Sequence, residues 1–121
     1  MKHAFLIMAH GSLPLLRVLL SMLDDERNDI FLHIDRKSNM LDGAEPLALS
    51  KACLYVLEQR VDVRWGNLSQ IKAEYVLFEE ALKHGPYAYY HLLSGQDLPI
   101  KSQDYIHQFF DEHQGKEFVG I

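Results

Sequence analysis

Residues 3–23, HAFLIMAHGSLPLLRVLLSML, hold an apolar run, a Gly turn and an apolar helix in immediate succession. His3–Ala9 is nearly continuous in apolar side chains and has the length of a strand. A run without polar alternation suits a strand buried on both faces of a parallel sheet. His10-Gly11 then turns the chain. Ser12 is placed to cap a helix running to about Asp24, with Pro14 tolerated in its first turn.

Working outward, the same alternation continues. Residues 30–34 (IFLHI) read as a second strand, followed by a short helical connection. Residues 52–57 (ACLYVL) read as a third strand, with helix as the alternative because Ala and Leu are good helix formers. After Trp65, the residues Ile71, Tyr75, Phe78 and Leu82 recur at helical spacing, and Gly85-Pro86 supplies a stop. Residues 87–93 (YAYYHLL) are aromatic and strand-like. Ser102 can cap a further helix in which Ile106, Phe109, Phe110 and His113 share a face, and Gly115 ends it. Residues 117–121 (EFVGI) read as a strand beginning. The order predicts an α/β domain in three layers, with a mostly parallel sheet and right-handed crossovers. Residues 1–121 read as one domain, and the last apolar run, with no closing helix after it, gives the expectation of a part of a larger enzyme.

Composition sets limits. The 121 residues carry 12 Lys and Arg against 17 Asp and Glu, a net charge of −5, and 48% are hydrophobic. That is a globular composition. The acid excess argues against nucleic acid as a partner. The longest apolar stretch, 13–23, is interrupted by Pro14, Arg17 and Ser21 and falls short of a membrane span. The N-terminal run is weakly flanked for a secretory signal, so the expected location is the cytoplasm, with the inner face of the membrane as the alternative. A single Cys53 leaves no disulfide framework and no Cys-based zinc site.

Ligands of open α/β sheets bind beyond the carboxyl ends of the strands. Four polar loops meet that condition: 10–12 (HGS), 35–38 (DRKS), 65–67 (WGN) and 94–97 (SGQD). Three carry Gly, which lets backbone N–H groups approach a ligand. Each also has a plain reading as a turn or connection, and His33 and His91, inside strands, read as packed, hydrogen-bonded histidines. The sequence has no G-x-G-x-x-G, no P-loop and no G-x-S-x-G. The acidic pair Asp24-Asp25 falls at the end of the first helix, not of the first strand, which excludes a receiver-type site.

HAFLIMAHG, IFLHIDRKS, VDVRWGNLSQIKAEYVLFEEAL, YYHLLSGQDLPIKS and GKEFVGI occur in this order. Together they resemble the N-terminal half of the core-2/I-branching N-acetylglucosaminyltransferase family, which includes the peptide O-xylosyltransferases. The W-G-x-x-S and L-L-S-G-x-D-x-P-I-K blocks at this separation carry most of the likeness, which spans nearly the whole chain.

The resemblance implies the nucleotide-binding half of a GT-A-type, inverting glycosyltransferase with a UDP-sugar donor, UDP-GlcNAc first, and a glycan or other hydroxyl acceptor. It implies no metal and no cofactor, in keeping with a sequence lacking Asp-x-Asp. By position, Ala9 and His10 are expected to line the uracil pocket, and Asp35 to accept from uracil N3–H or a ribose hydroxyl. Trp65, Gly66 and Ser69 would shape the nucleotide side of the cleft. Gly95, Gln96 and Asp97 would lie near the sugar-diphosphate, with Lys101 structural. In the family the catalytic base and the cationic diphosphate clamp lie in the C-terminal half, so no catalytic residue is expected in this chain, and self-association through an exposed sheet edge is. The alternative reading is a non-catalytic small α/β binding or partner domain.

Overall fold

A computed structural model describes residues 1–64 and 68–94. The elements are β1 (His3–Ala9), α1 (Leu13–Leu23), β2 (Asn28–Ile34), β3 (Cys53–Val56), α2 (Leu68–His84) and β4 (Tyr89–Ser94). The strands form one sheet in the order β3-β2-β1-β4, and every pair is parallel. The α/β reading holds, and β3 is a strand rather than a helix. The helix and strand expected over 102–115 and 117–121 lie outside the described residues.

β1 is paired on both edges, His3 opposite Asn28 and Tyr89, Ala9 opposite Ile34. Its side chains alternate between two cores. Phe5, Ile7 and Ala9 join Ile30, Leu32 and Ile34 of β2 beneath Leu16, Leu19, Leu20 and Leu23 of α1. Ala4 and Leu6 join Phe31 beneath Leu77 and Ala81 of α2. The two helices therefore cover opposite faces, giving three layers. This is the outcome of right-handed crossovers that run in opposite directions along the sheet, β1 to β2 and β3 to β4. Among the described residues no helix is long and apolar enough to cross a membrane.

Local chemistry explains the element ends. Ser12 caps α1, its hydroxyl accepting from Leu15 N–H at 3.2 Å, with Pro14 in the first turn. Gly11 holds φ +87°, a left-handed backbone that a Cβ would strain. β2 starts two residues before the predicted run, because Asn28 is buried with its amide donating to the Leu23 carbonyl.

The short helix expected between β2 and β3 is absent; residues 36–43 form turns and bends instead. Side chains explain this. Ser38 Oγ accepts from Met40 N–H, Gly43 sits at φ +70°, and Pro46 follows. The segment still contributes to the core, packing Met40, Leu41, Leu47 and Leu49 against the α1 side.

His91 is packed and hydrogen-bonded as the sequence suggested: its Nε2 lies 3.0 Å from His3 Nδ1 in the interior, and its ring stacks on Phe5. At the same end of the sheet, the Tyr87 hydroxyl donates to Asp29, which also receives Lys2 Nζ. Desolvation pushes the Tyr87 hydroxyl pKa well up, and the Asp29 carboxylate adds to it.

Asp24, at the C-terminus of α1, holds the start of β3. Its carboxylate accepts from the N–H groups of Ser50, Lys51 and Ala52 and from the Ser50 hydroxyl, at 2.8–2.9 Å. Partial burial alone would raise its pKa. The donors of Ala52, Ser50 and Lys51 outweigh burial and bring it to about 2 from an ordinary 3.8. A depressed carboxylate pKa adds stability above the unfolded value and loses it as pH falls toward the folded one. Asp24→Ala should therefore cost about 1–2 kcal/mol at pH 7, discounted for part exposure. Wild type and variant should converge as the pH falls from about 4 toward 2, measured by urea unfolding across that range.

Candidate functional site

The carboxyl ends of β1 and β2 are held by a strap formed by residues 57–64. Leu57 N–H donates to the Leu32 carbonyl, and Arg36 N–H to the Val61 carbonyl. Val61 N–H donates to His33 Nε2 at 2.9 Å, which makes Nδ1 the protonated ring nitrogen. Burial lowers the His33 pKa, keeping the ring a neutral acceptor. The Arg60 guanidinium, itself on the strap, donates to the carbonyls of Ile34, Asp35 and Ser38. One planar fork thus fixes the loop that follows β2.

Inside that loop Asp35 is only 5% exposed. Its N–H donates to the Ala9 carbonyl at 2.9 Å, joining the loops after β1 and β2. Its carboxylate accepts from Lys37 N–H at 2.9 Å and from Lys37 Nζ at 3.0 and 3.1 Å. Lys37 Nζ also donates to Asp62 and to the Val63 carbonyl, both at 2.6 Å. Burial pushes the Asp35 pKa up, but Lys37, through its N–H and its ammonium, holds it below the usual carboxylate range. The bond to Asp62 chiefly raises the pKa of Lys37, and the same bond lowers that of Asp62.

These groups border an open cavity of about 430 Å³, lined by His10, Gly11, Asp35, Lys37, Ser38, Asn39 and Val63. The volume is that of a small-molecule site. It lies at the carboxyl ends of β1 and β2, beside the point where the crossovers diverge, between β1 and β4. Open α/β sheets bind ligands at that point. A larger concavity, about 580 Å³, runs between edge strand β3 and α2, but Glu58, Glu79 and Glu80 dominate its charged lining. That acidity disfavours an anionic ligand, so the smaller cavity is the candidate.

Of the residues expected at the site, His10 and Asp35 line the cavity together. Ala9 does not line it; its methyl lies in the α1-side core and its carbonyl ties down Asp35. Ser69 sits at the start of α2, where its hydroxyl accepts from Arg64 N–H at 2.8 Å and donates to the Arg64 carbonyl. It ties Arg64 to the first turn of α2. Trp65, Gly66, Gly95, Gln96 and Asp97, with Lys101, lie outside the described residues.

Gly11, Lys37 and Ser38 join the lining from the rim loops 10–12 and 35–38, and Asn39 and Val63 join it without having been singled out. The DRKS block contains two of them. The role of Lys37 was not readable there, because Asp62, its second anion, is 25 residues away in sequence. The Lys37 charge is met by two carboxylates and a carbonyl, so it does not supply a free cation. The cavity thus suits a base or sugar with N–H and O–H donors rather than a diphosphate. Among the described residues no three His, Cys, Asp or Glu side chains are grouped to hold a metal.

Lys37→Met should move the Asp35 carboxyl pKa up toward its ordinary value, because the ammonium is lost while the Lys37 N–H remains. Carbon-detected NMR titration of Asp35 in wild type and variant reads this directly; an unmoved titration would show that the backbone donors alone set it.

The family model described as Core-2/I-Branching enzyme matches residues 3–121. No curated protein matches the sequence.

Proposed function

The chain belongs to the core-2/I-branching enzyme family of glycosyltransferases, and from that premise we propose that its rim cavity holds the nucleoside of a UDP-sugar, UDP-GlcNAc first. The observation that carries the reading is Asp35, a carboxylate held ionised at the edge of a cavity of about 430 Å³. An ionised carboxylate only accepts hydrogen bonds, and Lys37 and the Val63 N–H already draw on the two oxygens of Asp35, so a uracil or ribose donor would share them. Uracil offers N3–H and ribose offers hydroxyls. Asp35 can take either, with His10 and Gly11 against the other side of the ring. The diphosphate and sugar would extend toward the loop after β4.

Transfer would follow with inversion. An acceptor hydroxyl attacks the anomeric carbon, a carboxylate base takes its proton, and the bond to UDP breaks with the electron pair leaving on the diphosphate. Basic side chains, rather than a metal, would stabilise that departing charge. His10 and Asp35 bind and orient the donor; neither is assigned to the bond-making step. Base and cationic clamp come from the family's C-terminal half.

Donor discrimination tests Asp35. Cytosine has no N3–H, so its N3 lone pair would face the carboxylate. UDP should bind at least about tenfold more tightly than CDP, as expected for a charged hydrogen bond worth about 1.5–3 kcal/mol. Asp35→Asn, which can accept and donate, should weaken UDP and narrow the ratio, read by calorimetry with UDP and CDP. An unchanged ratio would remove Asp35 from the base site and leave a ribose contact or a purely structural role. With the full-length enzyme, transfer should survive EDTA, since the sequence has no Asp-x-Asp to present oxygen ligands to a cation; activity lost and restored by Mn²⁺ would reject metal independence.

A further inference from the structure

β3 stands at one end of the strand order β3-β2-β1-β4, and among the described residues β2 is its one strand neighbour. Tyr55 lies opposite Phe31, and the ladder runs on as Leu57 N–H donates to the Leu32 carbonyl. Successive residues of a strand turn their backbone groups to opposite sides. Tyr55 and Leu57 therefore face β2, and the N–H and C=O groups of Leu54 and Val56 face outward. The Val56 side chain is 44% exposed. An edge of this kind is a template for a further strand.

Beside the edge lies the concavity of about 580 Å³ between β3 and α2. Tyr55 and Val76 give it apolar surface, and three carboxylates, Glu58, Glu79 and Glu80, line it against one cation, Lys83. Glu80 is met by Lys83 and His84, each at 3.5 Å. Glu58 and Glu79 are exposed, and among the described residues no cation pairs with either.

We propose that this edge and groove bind an extended, basic segment of a partner polypeptide, which adds to the sheet alongside β3. Main-chain pairing to Leu54 and Val56 supplies attraction that is indifferent to sequence. β3 is only four residues long, so that pairing alone is weak and the groove selects the partner. An added strand turns alternate side chains to the two faces of the sheet. On the α2 face, Lys or Arg stems can lie along Tyr55 and Val76 while their charged ends reach Glu58 and Glu79. On the opposite face they meet Val56, which suits a β-branched neighbour. The expected partner therefore alternates basic and apolar residues. An acidic or phosphorylated segment is repelled by the same carboxylates, and the net charge of −5 favours encounter with a basic one. The inference is independent of what the rim cavity binds.

Amide NMR on the isotope-labelled full chain tests it. The probe is a short blocked peptide alternating arginine and valine; the control replaces arginine by glutamate. In the chain alone, the Leu54 and Val56 amides should exchange as solvent-exposed groups do. The arginine peptide should shift the signals of 54–59 and slow exchange at Leu54 and Val56 by about tenfold or more. The glutamate peptide should do neither. Methylating one alternate set of the arginine peptide's backbone nitrogens, the set facing β3, should abolish binding, while methylating the other set should spare it. Glu58→Gln combined with Glu79→Gln changes only exposed side chains and should weaken the arginine peptide about threefold or more. Leu54 and Val56 amides already protected in the chain alone would mean that the rest of this chain or a second copy covers the edge. That result overturns the proposal, as would equal binding of the glutamate peptide, binding that survives both methylations, or unchanged affinity in the double variant.

Discussion

β1 is the constraint on which the rest depends. All seven of its residues pair with β2 on one edge, and six pair with β4 on the other. Phe5 and Ile7 face α1, while Ala4 and Leu6 face α2. With both edges paired and both faces largely apolar, the strand meets water only toward its ends. The turn after Ala9 is therefore where polar chemistry can begin, and Gly11 makes that turn sharp enough for α1 to fold back over the sheet.

The candidate site is rigid because its loop is held by groups from a different part of the chain. Arg60 gathers three carbonyls of 34–38, His33 accepts from Val61, and Lys37 joins Asp35 to Asp62 and Val63. Fixed partners reduce the ordering a bound ligand would have to cause. They also account for the charge on Lys37. Under the proposed UDP-sugar reading, a cation already met by two carboxylates acts as a brace, and the charge that neutralises a diphosphate would come from elsewhere.

α2 shows how one helix can serve two purposes. Its closest approach to the sheet is made by Ala73, Leu77 and Ala81, two of them small, which lets the helix sit low on β1 and β2. The bulky residues Ile71, Tyr75, Phe78 and Leu82 are exposed instead, with the Phe78 ring 6.1 Å from that of Tyr90 on β4. Periodicity identifies the helix, but the bulkier of its two apolar stripes is not the one that meets the sheet.

Much was legible in the sequence because it depends on near neighbours. The apolar run of β1, the Ser12 cap with Pro14, the Gly85-Pro86 stop and the ordered blocks of the family are local patterns, and they give the α/β class, the crossovers and the loops that follow β1 and β2. Asp35 and His10 could be named because they follow strands directly. Tertiary structure decided the rest. Asp24 binds backbone 26 to 28 residues away, Lys37 meets Asp62 across 25, and Arg60 reaches back 22 to 26. The 35–52 connection avoids helix because its side chains find partners in turns and in the α1-side core. Ala9, adjacent to the site in sequence, is turned into that core by strand alternation. Periodicity in a sequence records which way a side chain points relative to its neighbours; what it meets there is set only when distant segments pack.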